Sequence, residues 1–238
     1  MHHGLVGSSD LGPMWSDAAE ELGVRLLAAA RPGYGHSDAV DMNAIGDWAG
    51  LLQPVLDHHG WTRFATVGIS AGAPYAYALA ARLGSRVSRV AIVSGLPAVH
   101  KPDVLALYPK DARAAFARYA AASRREVAAE MRTVLEALRH QFAADDPVQA
   151  AFDASLVQDV AGPGREAWLQ MRPWGFSLRA VRCPVRMFQA EDDTMVPFRA
   201  VVATARRLPE AQIIARCTGG HRLDESVVRA ALTFVAEA

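Results

Sequence analysis

The sequence predicts an α/β fold in which a mostly parallel sheet is flanked by helices. Short continuous apolar runs indicate strands that are covered on both faces. Helical segments separate most of these runs, and such alternation is typical of a parallel sheet. The predicted strands are residues 25–29, 64–69, 89–93, 185–189 and 211–215. The predicted helices beside them are residues 15–22, 44–58, 73–83, 199–208 and 226–236.

Composition excludes several classes of protein. The chain has 238 residues, 51% apolar and 21% charged, which is enough to bury a core and excludes global disorder. Its 25 basic and 25 acidic residues balance, which argues against nucleic acid or an anionic membrane as the main partner. Cys183 and Cys217 form neither a disulfide framework nor a metal-binding spacing, so we expect a cytoplasmic protein.

Residues 97–179 interrupt the alternation and contain no convincing strand. Ser123-Arg124-Arg125-Glu126 matches a capping box, in which each side chain bonds an unpaired backbone N–H at a helix start. Asp146-Pro147 is a second predicted helix start. The helix from Ser123 is predicted to carry one apolar stripe: Val127, Met131, Val134, Leu135, Leu138 and Phe142. We therefore expect this helical insertion (residues 97–179) to cap a core made of residues 1–96 and 180–238.

The chemistry centres on Gly68-Ile69-Ser70-Ala71-Gly72, which follows a predicted strand and opens a predicted helix. A serine on such a sharp turn is held in a strained conformation with its hydroxyl projecting. The small residues around it allow strand and helix to approach closely. The N-terminus of the helix favours negative charge on the atom under attack. Ser70 is therefore the candidate nucleophile.

A serine nucleophile needs a base, and the base needs an orienting carboxylate. His221 follows the last predicted strand and Asp193 follows the strand before it, with Asp192 as a competing carboxylate. All these residues lie at the carboxyl ends of strands, where the active sites of open α/β sheets form. The pattern predicts a Ser-Asp-His catalytic triad.

Five segments resemble the α/β-hydrolase superfamily, in its capped esterase, lactonase and haloperoxidase-like branch. His3-Gly4-Leu5 resembles the oxyanion segment of the family, and Arg31–Ser37 resembles its Arg-Pro-Gly-x-Gly-x-Ser loop. Gly68–Gly72 resembles its nucleophile elbow. Asp193–Pro197 matches its Asp-x-x-Val-Pro loop, which favours Asp193 over Asp192, and Gly219–His221 matches its histidine loop.

The resemblance implies a role for each residue. Ser70 would attack a carbonyl carbon, His221 would carry the proton, and Asp193 would orient the imidazole. Backbone N–H groups of Leu5 and Ala71 would form the oxyanion hole.

The implied activity is hydrolysis of a carboxylic ester, lactone or related acyl bond of a small molecule, with no metal or other cofactor. The alternatives are a catalytically weak binding module, or a perhydrolase or acyltransferase with the same triad. We expect short or medium acyl substrates and neither nucleic acid nor membrane as a partner. The sequence is compatible with a homodimer.

One departure from the family concerns the start of the sequence. In the family an apolar strand leads directly into His-Gly, after two earlier strands, whereas only Met1 and His2 precede His3 here. A gap in the sheet would leave backbone groups of residues 25–29 and 64–69 unpaired, at about 1–3 kcal/mol each when buried. We expect those two segments to pair directly, displacing Leu5, or a partner chain to supply a strand. A chain extended upstream is expected to be more stable.

Overall fold

The computed structural model describes residues 1–143 and 148–237. Its sheet contains parallel strands in the order β1-β2-β3-β4. These strands confirm four of the predicted ones to within two residues at each end. They are β1 Phe64–Ile69, β2 Val87–Val93, β3 Val185–Ala190 and β4 Ala211–Arg216.

The helices flanking the sheet also follow the predicted pattern. They are α1 Pro13–Glu21, α2 Trp48–His58, α3 Ala73–Leu83, α9 Phe198–Ala205 and α10 Glu225–Ala236. The helices between β2 and β3 are α4 Pro102–Leu105, α5 Lys110–Ala121, α6 Arg124–Arg139, α7 Val148–Leu156 and α8 Ala161–Gln170. No helix in the described residues is both long and apolar enough to cross a membrane.

The two faces of the sheet are covered by different helices. Successive strand residues point to opposite faces: Ile92 of β2 packs in the core formed with α2, α3 and α9, whereas Val93 packs in the core formed with α1 and α10. Burying one large apolar side chain contributes about 1.5–3 kcal/mol. Both faces therefore need apolar residues, which explains why the strands are continuous apolar runs.

The prediction of a strand at residues 25–29 is wrong, since this segment forms no strand. Residues 1–3 pair with the edge of β1 instead: the His2 N–H donates to Val67 O at 2.8 Å, and the Ile69 N–H donates to His2 O at 3.0 Å. The amino group of Met1 donates to Leu27 O at 2.9 Å. Residues 25–29 therefore do not pair directly with β1, and Leu5 is not displaced in the way that was expected.

The helical insertion contains helices α4–α8 and no strand in its described part. The predicted capping box is confirmed, since Glu126 N–H donates to Ser123 Oγ at 3.3 Å and Ser123 N–H donates to Glu126 Oε2 at 2.8 Å. The predicted apolar stripe on α6 is correct only in part. Its buried members are Val127, Met131 and Leu135, and its exposed members are Val134, Leu138 and Phe142.

The exposed members Leu138 and Phe142 lie at the carboxyl end of α6 and beyond it. Leu138 is in the last turn, and Phe142 follows the helix, which ends at Arg139, with its ring centre 5.5 Å from that of Phe152 on α7. Val127, Met131 and Leu135 share one helix face at i, i+4 and i+8, and this face packs against Phe152 of α7 and Ala167 of α8. The predicted helix start at Asp146-Pro147 lies outside the described residues.

Candidate active site

The turn between β1 and α3 holds Ser70 in a strained backbone conformation. Ser70 has φ of 49°, in the left-handed region that non-glycine residues rarely adopt. The turn is tight: a methyl group on Gly68 would lie 2.7 Å from Cα of Ala73. Only glycine at position 68 lets the end of β1 approach the start of α3 this closely. The turn therefore has the strained, close-packed geometry that the sequence predicts for a nucleophile elbow.

Gly72 has a different function in the same turn. A methyl group at this position would lie 2.2 Å from the carbonyl oxygen of His2 and 2.6 Å from that of His3. Gly72 therefore lets residues 2–3 lie directly against the turn that carries Ser70.

We expect Gly72→Ala to destabilise the protein by about 1–3 kcal/mol, since the added methyl must displace backbone atoms of residues 2–3. Urea unfolding measures this change. Gly50→Ala is the matched control: Gly50 lies on the exposed face of α2 with no atom near its would-be methyl group, and alanine favours the helix. Equal stability of Gly72→Ala and the unmodified chain would contradict the predicted contact.

The structure brings Ser70, His221 and Asp193 together at the carboxyl end of the sheet. Ser70 follows β1, Asp193 follows β3 and His221 follows β4. The His221 Nε2 atom lies 2.9 Å from Ser70 Oγ, and the His221 Nδ1 atom lies 2.9 Å from Asp193 Oδ2. These distances form a continuous hydrogen-bond chain through the three side chains. The imidazole retains 20% exposure and the carboxylate is fully buried.

Asp193 is held as a carboxylate by its surroundings. Its Oδ1 accepts from the N–H groups of Met195 and Val196, both at 2.9 Å, and its Oδ2 accepts from Gln189 Nε2 at 2.9 Å. Burial would raise the pKa of Asp193, but the hydrogen bonds from His221, Val196 and Gln189 and the charge of His221 lower it below its ordinary value. Because a carboxylate only accepts, His221 Nδ1 carries the proton and Nε2 can accept from Ser70.

Asp192 has a different set of partners. This exposed carboxylate accepts from the N–H groups of Gly220 at 2.8 Å and Gly219 at 3.3 Å. It therefore bonds the backbone before His221 and not the imidazole ring. The geometry favours Asp193, the residue preferred from the sequence, as the partner of the ring.

Leu5 and Ala71 are the expected oxyanion-hole donors. Ala71 is the second residue of a short 3₁₀ turn over Ser70–Gly72, where its N–H has no partner inside the turn. The Leu5 N–H donates no hydrogen bond to any group in the described part of the chain, so it is free to bind a substrate oxygen. A methyl group on Gly4 would lie 3.6 Å from Cβ of Ser70, so the segment before Leu5 lies directly beside the serine.

Sequence reasoning missed several residues that support this site. Gln189 donates to Asp193, and the side chains of Arg31 and Tyr34 bond the backbone of residues 3–5. A polar residue near the end of an otherwise buried strand was the available signal for Gln189. Arg31 and Tyr34 lie in the loop that resembles the family, but no residue pattern showed what they would contact.

A family model described as the alpha/beta hydrolase fold matches residues 1–222. The chain therefore belongs to the α/β-hydrolase family, and its general function is that of a hydrolase. No curated protein is significantly similar to it in sequence.

Solved structures share the fold at low sequence identity. An esterase from Exiguobacterium antarcticum is 16% identical with a TM-score of 0.73, covering 100% of this chain and 91% of that one. A bromoperoxidase from Bacillus anthracis is 18% identical with a TM-score of 0.69, covering 99% and 90%. An enol-lactonase from Burkholderia xenovorans LB400 is 17% identical with a TM-score of 0.63, covering 98% and 86%. At these identities the similarity establishes the fold.

Proposed function

We propose that the protein is a serine hydrolase that cleaves a carboxylic ester, lactone or related acyl bond of a small molecule. The observation that carries this proposal is the chain of two 2.9 Å hydrogen bonds from Ser70 through His221 to Asp193. A serine hydroxyl bonded to an imidazole, itself oriented by a buried carboxylate, is the arrangement that activates oxygen as a nucleophile. The similar structures of an esterase and an enol-lactonase support this class of substrate.

Acylation follows from the hydrogen-bond directions. Ser70 Oγ attacks the carbonyl carbon while His221 Nε2 removes the hydroxyl proton. Asp193 stabilises the imidazolium that forms. The negative charge that develops on the carbonyl oxygen is bound by the N–H groups of Leu5 and Ala71. When the tetrahedral intermediate collapses, the C–O bond to the leaving group breaks and His221 returns its proton to that oxygen.

Deacylation reverses these roles with water as the nucleophile. His221 Nε2 takes a proton from water, whose oxygen attacks the acyl carbon on Ser70. The second tetrahedral intermediate releases the carboxylic acid, and the proton returns to Ser70 Oγ. The partial exposure of His221 is consistent with access of water to the imidazole.

The experiment that tests this function is labelling of the unmodified chain with a fluorophosphonate probe, followed by peptide mass spectrometry. We expect one labelled site, at Ser70, and turnover of p-nitrophenyl butyrate by the same sample. A heat-denatured sample is the control and is expected to remain unlabelled. If the folded chain shows neither labelling nor turnover, the proposal is wrong and the binding-module hypothesis is favoured.

The substrate is expected to carry a short or medium acyl chain. Leu5 and Val6 pack against the apolar cluster of the helical insertion that includes Val127 and Phe152, so this cluster contacts the segment that carries the proposed oxyanion donor. We expect p-nitrophenyl acetate and butyrate to exceed the palmitate ester in kcat/KM by about tenfold or more. A series of p-nitrophenyl esters of increasing length measures this preference. A maximum at the long-chain esters would contradict it.

A further inference from the structure

Three successive carbonyl groups of the segment beside Ser70 are held by one loop. Arg31 Nη1 donates to His3 O at 2.8 Å, Arg31 Nη2 donates to Gly4 O at 3.0 Å, and the Tyr34 hydroxyl donates to Leu5 O at 3.0 Å. The His3 ring contributes as well: its Nδ1 donates to Gly4 O at 2.8 Å, and its Nε2 accepts from the Arg31 N–H at 3.3 Å. The backbone of residues 3–5 is therefore fixed by side chains.

The hydrogen bond to Gly4 O also determines where the Leu5 N–H points. The two groups belong to the same peptide unit, and none of the described peptide bonds is cis. In a planar trans peptide the C=O and N–H bonds point in opposite directions. Because Gly4 O faces Arg31, the Leu5 N–H faces away from Arg31, and the adjoining Gly4 lies against Ser70.

Arg31 is itself fixed by a residue of the helical insertion. Its guanidinium and the carboxylate of Glu166 on α8 are both completely buried and form a bidentate pair, Nη2 donating to Oε2 at 2.9 Å and Nε donating to Oε1. The guanidinium carbon also lies 4.5 Å from the ring centre of Tyr75. Without Glu166 the guanidinium would be a buried charge with no counter-ion, which is strongly unfavourable.

A second contact joins the same segment to the helical insertion. Ser155 on α7 is fully buried, and its hydroxyl oxygen accepts from the Gly7 N–H at 3.1 Å. Residues 3–7 are thus held by the loop that carries Arg31 and by Ser155 of α7, while α8 acts on them through the pair of Glu166 with Arg31.

We propose that Arg31 is a positioning residue that directs the Leu5 N–H into the oxyanion hole, and that Glu166 makes this orientation depend on the packed helical insertion. This inference rests on the proposed serine hydrolase function. It predicts that the charge of Glu166, remote in sequence from the triad, affects the stabilisation of the transition state without a contact to substrate.

The test is the kinetics of Arg31→Lys and Glu166→Gln on p-nitrophenyl butyrate, with thermal melts of each variant. A lysine ammonium cannot span two carbonyl groups and both carboxylate oxygens as a planar guanidinium does. Loss of one oxyanion donor typically costs about 10²–10³ in kcat, and a misdirected donor is expected to cost at least about tenfold, with KM unchanged within about twofold. Arg124→Lys is the matched control, since Arg124 forms an exposed pair with Asp41.

The outcomes separate a positioning role from a structural one. A lower kcat at unchanged KM, with Arg124→Lys equal to the unmodified chain, supports the proposal. A folded Arg31→Lys variant with kcat within about twofold of the unmodified chain overturns it. If Arg31→Lys fails to fold, Glu166→Gln tests the proposal by the same changes in kcat and KM. This substitution keeps the shape of the side chain and removes its charge.

Crystal structures of the unmodified chain and of the folded variants give a readout independent of activity. The proposal requires that the Gly4–Leu5 peptide changes direction or becomes disordered in the variants, and an unchanged peptide overturns it. If the unmodified chain neither turns over esters nor reacts with a fluorophosphonate, the proposed function fails. The orientation of the peptide still tests whether Arg31 and Glu166 set the direction of the Leu5 N–H.

Discussion

Replacing Ser70 with alanine is expected to lower kcat on p-nitrophenyl butyrate by about 10⁴-fold or more, because no other group at the turn can form the acyl-enzyme. The fold is expected to persist, since the substitution removes one hydroxyl group. Its positive φ of 49° is strained for alanine as it is for serine. Steady-state kinetics and a thermal melt of the purified variant measure both effects.

Ser94→Ala is the matched control for this prediction. Ser94 also follows a strand, has φ of 46°, and is buried. Its hydroxyl has no partner among the described residues, so its loss is expected to leave turnover within about twofold of the unmodified chain. Unchanged turnover in Ser70→Ala would rule out Ser70 as the nucleophile.

Replacing Asp193 with asparagine is expected to lower kcat by about a hundredfold or more, through the wrong tautomer of His221. The N–H groups of Met195 and Val196 both point at Oδ1, so they hold the amide oxygen of asparagine at that position. The amide nitrogen then faces His221 Nδ1 and donates to it. The imidazole must carry its proton on Nε2, and it can no longer accept from Ser70.

Asp192→Asn provides the comparison, since it changes the neighbouring carboxylate in the same way. The two N–H groups bond different oxygens of Asp192, so the amide that replaces this carboxylate keeps one of the two hydrogen bonds, and the imidazole keeps Asp193 as its partner. We expect a loss of less than about tenfold, and the pH dependence of kcat/KM should keep its form. A larger loss in Asp192→Asn than in Asp193→Asn would reverse the assignment of the acid.

The strands and the elbow could be predicted because local rules determine them. A strand covered on both faces needs apolar residues on both, and this holds for β1 to β3. The strand β4, at the end of the strand order, is only partly buried, with Ile213 and Ile214 packed against opposite faces. The turn at Ser70 requires small residues, and Gly68 meets this requirement through its approach to Ala73. The segment at residues 25–29 has the same apolar character, yet it forms no strand. Residues 1–3 lie along β1 in place of this segment, and the amino group of Met1 donates a hydrogen bond to Leu27 within it.

The sequence by itself determined the class of fold, the four strands of the sheet and the three residues that lie together at its carboxyl edge. Strand ends and turn chemistry are local properties, and parallel strands bring their carboxyl ends to one edge. Only the tertiary structure decided that Gln189 supports Asp193 and that Arg31 pairs with Glu166, 135 residues away. Side-chain direction within a loop, and pairing between a loop and a distant helix, depend on how the elements pack, and no residue spacing encodes that packing.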